Sequence, residues 1–316
     1  MFLPPPCQGG KRAEGERGVR FLKRNPSEDK AIGVIGLGIM GSAMATNLAK
    51  AGFRVHGYDI VPARRVALKK AGGRPETSIA KAARAAEVLI TSLPSVAALH
   101  DVAAALNARG RVVMETSTLP IEEKERARET LARKGIVLLD CPLSGTGAQA
   151  RAKDLVVYAS GERKAFLRAE PFMPGFSRAH HYLGAFGNGS KMKFVANLMV
   201  AIHNVSAAEA FALGMKAGLA PQTIYKVQAE SAGTSRMFQV RGPMMVAGKY
   251  DEATMKNELW LKDMKIIGEF ATKLGVATPL FNASAAIYNA AMAQGYAKQD
   301  TAAVCAVLEG MARIKR

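Results

Sequence analysis

A chain of 316 residues, 49% hydrophobic and 22% charged, has room for two domains and the composition of an ordinary globular protein. Its 44 Lys and Arg against 26 Asp and Glu give a net charge of +18, yet the basic residues stop at doublets such as Lys11-Arg12, Arg64-Arg65 and Lys69-Lys70, with few aromatics between them. That spread argues against a nucleic-acid reader and fits an anionic substrate and cofactor.

No apolar run reaches the roughly 18–20 residues of a membrane span without polar interruption. The three cysteines, Cys7, Cys141 and Cys305, are odd in number and far apart, which suits a reducing, cytoplasmic setting. No Cys/His cluster has metal-ligand spacing. Residues 1–30 carry Pro4-Pro5-Pro6, scattered charge and almost no periodicity, and read as a disordered leader. They contain no secretory h-region.

Order begins at Ala31. An apolar strand over 31–35 runs directly into Gly36-Leu37-Gly38-Ile39-Met40-Gly41, and a helix follows over 42–50. In that strand–turn–helix context the glycines read as a dinucleotide fingerprint: Gly36 for the tight turn, Gly38 for close approach to a pyrophosphate, Gly41 for helix–strand packing. The next strand, 54–58, ends in Asp59. An acid there accepts hydrogen bonds from ribose hydroxyls and repels a 2′-phosphate, favouring NAD, while Arg64 and Arg65 keep NADP as the alternative. Helices over 63–71 and 78–86 lead to a strand over 87–92 ending at Leu93-Pro94. A helix over 96–106, a strand over 111–115 ending at Thr116-Ser117-Thr118, a helix over 121–134 and a strand over 135–140 continue the alternation. This β-α-β pattern predicts a doubly wound α/β sheet with the strand ends meeting at one crevice. Two further strands, 155–160 and 180–183, are expected around a helix near 162–173.

The strand end Asp140-Cys141-Pro142-Leu143-Ser144-Gly145-Thr146-Gly147 offers hydroxyls and successive backbone N–H groups, an anion-binding concavity or a plain loop. After Gly187-Asn188-Gly189, with Ser190 as N-cap, a helix of roughly 25 residues is expected, about 35–40 Å long. Lys193, Asn197, Ala201 and Asn204 share one of its faces. A lysine in the first turn opposes the helix dipole, so it is either a solvated helix end or a functional cation. Beyond Gly218 only helices are evident, over 221–230, 236–246, 256–274, 280–293 and 301–313. Lys262-Asp263 lies within one of them, as a solvated face or an ion pair.

Taken in order, GLGIMGSAMATNLAKAG, the Asp140–Ala148 segment, GNGSKMKFVAN and Lys262-Asp263 resemble the β-hydroxyacid dehydrogenase family, which includes 3-hydroxyisobutyrate dehydrogenases, tartronate semialdehyde reductases and glyoxylate/succinic semialdehyde reductases. The resemblance runs from Ala31 to the C-terminus. It implies an NAD(P)-binding Rossmann-type domain over 31–189 and an all-helical domain over 190–316, joined by a long interdomain helix. It also implies hydride transfer between a nicotinamide and a small anionic 3-hydroxy acid or semialdehyde, with Lys193 as acid/base and Asn197 as its partner. By the same resemblance Ser144, Gly145 and Thr146 hold the substrate carboxylate. Leu93, Pro94, Thr118 and Lys262 contact the cofactor, Asp263 is the acid beside Lys262, and dimers or tetramers form through the helical domain. The chain departs from the family pattern in reading Pro-Leu-Ser-Gly-Thr-Gly and in placing Met255 where a phenylalanine is frequent. With Arg236 and Phe238 these positions are expected to line the substrate pocket. Imine-reducing relatives usually lack the lysine, and a non-catalytic cofactor-binding module would be expected to lose it.

Overall fold

The structure is a computed structural model describing residues 30–316; all but the last residue of the expected leader lies outside the described residues. Strands β1 (Ala31–Ile35), β2 (Arg54–Tyr58), β3 (Arg74–Pro75), β4 (Val88–Thr91), β5 (Val112–Glu115) and β6 (Val137–Asp140) form one parallel sheet in the order β3-β2-β1-β4-β5-β6. Its central strands are apolar and buried on both faces because helices cover both sides of a parallel sheet. The order reverses direction between β1 and β4, and there the C-terminal strand ends open onto a crevice.

The two later strands do not extend this sheet. Val156–Ala159 (β8) and Ala179–Tyr182 (β9) join Leu143–Ser144 (β7) in a separate three-stranded sheet, with β7 antiparallel to β8. Asp140 and Ser160 exchange one isolated antiparallel bridge, which fixes the small sheet to the end of β6 as a corner rather than as a new edge strand.

The interdomain helix spans Asn188–Lys216, 29 residues. Its N-cap is Gly187 in the left-handed region at φ 90°, not Ser190, which lies inside the first turn. Ser190 is not needed as a cap because Asp140 does that work from 50 residues away, accepting from the Ser190 backbone N–H (2.7 Å) and hydroxyl (2.8 Å). A Cβ at Gly189 would lie 2.3 Å from Tyr158 O and 2.7 Å from Asp140 O, so the helix sits on β6 and β8 only because that residue is glycine.

By length and composition the Asn188–Lys216 helix is apolar enough to cross a membrane. Here it forms the centre of the helical domain, packed by helices Pro221–Gln228, Arg236–Ala247, Asn257–Lys273, Pro279–Ala293 and Val304–Met311. Phe194, Val205, Ala208 and Phe211 meet Phe238, Trp260, Phe281 and Tyr288 in this core. The Lys193–Asn204 face is buried, but it divides. Asn204 belongs to the core, where its amide donates to Tyr288 Oη (2.9 Å) and Thr301 O (2.8 Å).

Candidate active site

The glycine loop is built for a dinucleotide. A Cβ at Gly36 (φ +88°) would stand 2.2 Å from Ser92 O, and one at Gly41 only 1.9 Å from Gly36 O, so both are excluded by backbone. At Gly38 a Cβ would meet nothing described within 4 Å, so the space over the backbone is open. Gly38 also caps helix Ile39–Lys50 with no side-chain hydrogen bond to the first turn, leaving the N–H groups of Ile39, Met40 and Gly41 for an anion. These residues fit a pyrophosphate. Leu37 serves differently: its side chain is core, and its N–H is donated to Asp59 Oδ2 at 2.7 Å. Asp59 Oδ1 accepts from Val61 N (2.8 Å), and Arg64 stands 3.2 Å from Oδ2. Arg65 donates to Asp59 O and lies over the Tyr58 ring. The sequence's acid and its two arginines thus meet at one point, just beyond the end of β2.

The other strand ends converge on the start of the interdomain helix. Leu93 N donates to Ser117 Oγ (2.8 Å), joining the ends of β4 and β5. The Lys262 ammonium crosses from the helical domain to Thr118 O (2.9 Å) and lies 3.3 Å from Asp263 Oδ1. Asn197 Nδ2 donates to Asp263 Oδ2 at 3.1 Å. Lys193, one turn before Asn197, is buried, and among the described residues its ammonium makes no hydrogen bond or ion pair within 4 Å. Burial pushes it down to about 8; the Asp263 carboxylate pulls it up and Lys262 adds to the depression. The Asp263 carboxyl is raised by burial, against the opposing pull of Lys262 and Lys193 and the hydrogen bonds from Lys262 and Asn197.

The loop after β6 reaches the same crevice. A Cβ on Gly147 would lie 2.6 Å from Ile39 Cγ2, so this loop abuts the glycine loop. Ser144 pairs with Val156 in the small sheet, and Gly145 takes φ +132°. Thr146 is less free than the sequence suggests. Its hydroxyl and N–H form a capping box with Gln149, so what it presents is a fixed turn rather than a loose hydroxyl. Of the expected pocket residues, Arg236 faces Asp154 at 3.8 Å, just behind this loop. Met255 donates its N–H to Asp300. Phe238 is a core residue, stacked with Phe211 and Tyr225, because its side of the helix faces the interior while Arg236 in the same turn stays exposed. A pocket of about 140 Å³ lies beside the site rather than in it, between Pro120–Glu122 and Phe194, Ile266 and Phe270.

Beneath these segments lies a buried cluster of three charges. Glu115 and Asp140, fully buried, are lateral partners at the ends of β5 and β6, and Lys124 inserts its ammonium between them. The signal was present as two strands each ending in an acid, which inside a sheet demands a cation.

Comparison with known proteins shows the family. Residues 31–184 match the family described as the NAD binding domain of 6-phosphogluconate dehydrogenase, and residues 187–308 that described as NAD-binding of NADP-dependent 3-hydroxyisobutyrate dehydrogenase. The chain is 32% identical to an L-threonate dehydrogenase of Cupriavidus necator over 89% of its own length and 96% of that protein. It is 31% identical to a mitochondrial 3-hydroxyisobutyrate dehydrogenase of Rattus norvegicus, over 89% and 88% of the two chains. Among solved structures, a 3-hydroxyisobutyrate dehydrogenase from Salmonella typhimurium superposes with a TM-score of 0.80 at 28% identity, covering 88% of this chain and 100% of that one. A glycine loop fitted to a dinucleotide, a helical domain closing on the strand ends and these likenesses together place the chain in the β-hydroxyacid dehydrogenase family, the NAD(P)-dependent oxidoreductases of hydroxy acids.

Proposed function

We propose that Lys193 is the general acid/base of hydride transfer between a nicotinamide and a short hydroxy acid or its semialdehyde counterpart, with NAD the favoured cofactor. The observation carrying this is a buried lysine that has no ion-pair partner among the described residues, one helical turn before Asn197 and within the electrostatic reach of Asp263 and Lys262. Lysines are seldom buried without a partner unless the group has work to do. When bound, the nicotinamide supplies or accepts the hydride. In reduction the Lys193 ammonium donates a proton to the oxygen as negative charge develops on it; in oxidation neutral Lys193 takes the alcohol proton. Because Asn197 gives its amide N–H to Asp263, its carbonyl oxygen is left to accept from Lys193 or from the substrate hydroxyl.

The substrate carboxylate rests on the turn Ser144-Gly145-Thr146, and the half-buried seam between this loop and Arg236 suits a small polar acid of the threonate or 3-hydroxyisobutyrate kind. Buried, unpaired Cys141 and Cys305 suit a cytoplasmic setting. The exposed apolar residues of the helical domain, among them Leu213, Val227, Leu274 and Leu280, suit burial against a second copy in a homodimer or homotetramer.

The test is turnover of L-threonate, 3-hydroxyisobutyrate, glycerate and 4-hydroxybutyrate with NAD+ and NADP+, by wild type and Lys193→Ala. Loss of the lysine is expected to cost about 10²–10⁴ in rate. Activity that survives the substitution, or no activity on any member of the panel, rejects the reading.

A further inference from the structure

We propose that Lys124 is a positioning residue for this site: its buried ammonium ties the turn after β5 to the N-terminus of the Asn188–Lys216 helix and so sets where Lys193 stands. The inference rests on the reading of Lys193 as acid/base.

The cluster is completely internal; Lys124, Glu115 and Asp140 are each 0% exposed. The three protons of Lys124 have three oxygen neighbours: Ser117 O at 2.7 Å, Asp140 Oδ1 at 2.8 Å and Glu115 Oε2 at 2.6 Å, the last an ion-pair contact without hydrogen-bond alignment. Burial alone would lower the Lys124 ammonium, but Asp140 and then Glu115 outweigh it and raise it above the usual lysine range. Cys141 beside them is pushed well up, first by burial and then by the Asp140 charge, and stays a neutral thiol.

From this ammonium the bonds lead outward to the ends of β4, β5 and β6 and to the start of the Asn188–Lys216 helix. On one side Glu115 Oε1 accepts from Ser117 N (2.9 Å), and Ser117 Oγ accepts from Leu93 N, so the turn beneath Thr118 is held at three points. On the other, Asp140 accepts from Ser190 N and Oγ, while Ser160 Oγ donates to Asp140 and itself accepts from Gly189 N (2.9 Å). Asp140 also begins the segment that leads to Ser144. Two carboxylates and one ammonium leave a net negative charge at the helix N-terminus, the sign its dipole favours.

Stability alone does not account for such an arrangement. Desolvating an ion costs several kcal/mol, and buried ion pairs often do no better than apolar residues of the same volume. What hydrogen-bonded charges supply and an apolar plug does not is direction. Here the direction fixed is that of the first helical turn, one turn before Lys193.

Two variants test this. Ser190→Ala removes only the hydroxyl contact to Asp140. Lys124→Met combined with Glu115→Gln deletes one charge of each sign and leaves Asp140 facing the helix. With NAD+ and the best substrate of the panel, each is expected to lose tenfold or more in kcat per folded protein, with the dissociation constant for NADH within about twofold of wild type. The Lys193 limb of the pH–rate profile should also rise from about 8. If Lys124→Met/Glu115→Gln does not fold, Ser190→Ala decides. A lower melting temperature with wild-type kcat and an unmoved pH profile would show the cluster to be merely structural and would overturn the proposal. Failure of the underlying reading looks different: Lys193→Met would then turn over normally, whatever the cluster variants do.

Discussion

Asn197 and Asp263 join the two helices that carry the site's cations: an amide on the helix of Lys193 donates across 3.1 Å to a carboxylate on the helix of Lys262. The same carboxylate lies 3.3 Å from Lys262, whose ammonium also reaches the Rossmann-type domain at Thr118. Asp263 therefore serves three partners at once: it balances Lys262, holds up the affinity of Lys193 for its proton, and turns Asn197.

Groups so connected should fail together. Asn197→Ala and Asp263→Ala are each expected to cost about 10–10² in kcat/KM, and the double variant little more than the worse single one. A double-mutant cycle in steady-state kinetics measures this. If the two losses multiply as independent factors, the contact positions nothing that reaches the reaction.

As the proposed acid/base, Lys193 should give a pH signature with opposite signs in the two directions. With its ammonium near 8, reduction needs the protonated form and should fall as pH rises through about 8, while oxidation needs the neutral form and should rise over the same range. There is a second consequence, for stability. The folded value lies below that of the unfolded chain, so folding disfavours the bound proton. The cost is present in full below about pH 8, fades as pH rises, and is gone above the unfolded value of about 10.4. Its size is about 3 kcal/mol. Lys193→Met, which keeps the apolar stem, should therefore melt several degrees above wild type at pH 7, with the gap closing near pH 10, while losing activity. Thermal denaturation at the two pH values checks it; a less stable variant at pH 7 would mean that the lysine is not held at a cost.

The contrast between Lys193 and Lys124 shows what a sequence reveals of such a site. The glycine loop, the βα alternation, Asp59 and the lysine-bearing helix are legible because each rests on a pattern within a few residues of itself. Lys124 is not. In Ile121-Glu122-Glu123-Lys124-Glu125 it reads as one more charge on a solvated helix, and only the register that sets Glu115 beside Asp140 reveals the hole it fills. From the sequence Ser190 reads as the cap of the long helix for the same reason. Ser190 satisfies the local rule, whereas the carboxylate that acts lies 50 residues earlier in the chain. Phe238, placed by motif in the pocket, is taken by the core, because which side of its helix faces inward depends on neighbours that the motif does not contain.

Asp59 and Arg64 set the last expectation, the choice of nucleotide. Asp59 is buried and fixed by two backbone N–H groups, so it would not swing away from a 2′-phosphate brought to the end of β2. Arg64, half exposed at 3.2 Å, is held to that carboxylate and is not free to receive the phosphate while Asp59 is present. Asp59→Ala should release it. The ratio of kcat/KM for NADP+ over NAD+ is expected to rise at least tenfold, about 1.4 kcal/mol, and Arg64→Ala added to Asp59→Ala should take most of that gain away. Initial rates with each cofactor measure both steps. An unchanged ratio in Asp59→Ala would remove Asp59 as the discriminator, and a gain that survives loss of Arg64 would assign the phosphate to Arg65 instead.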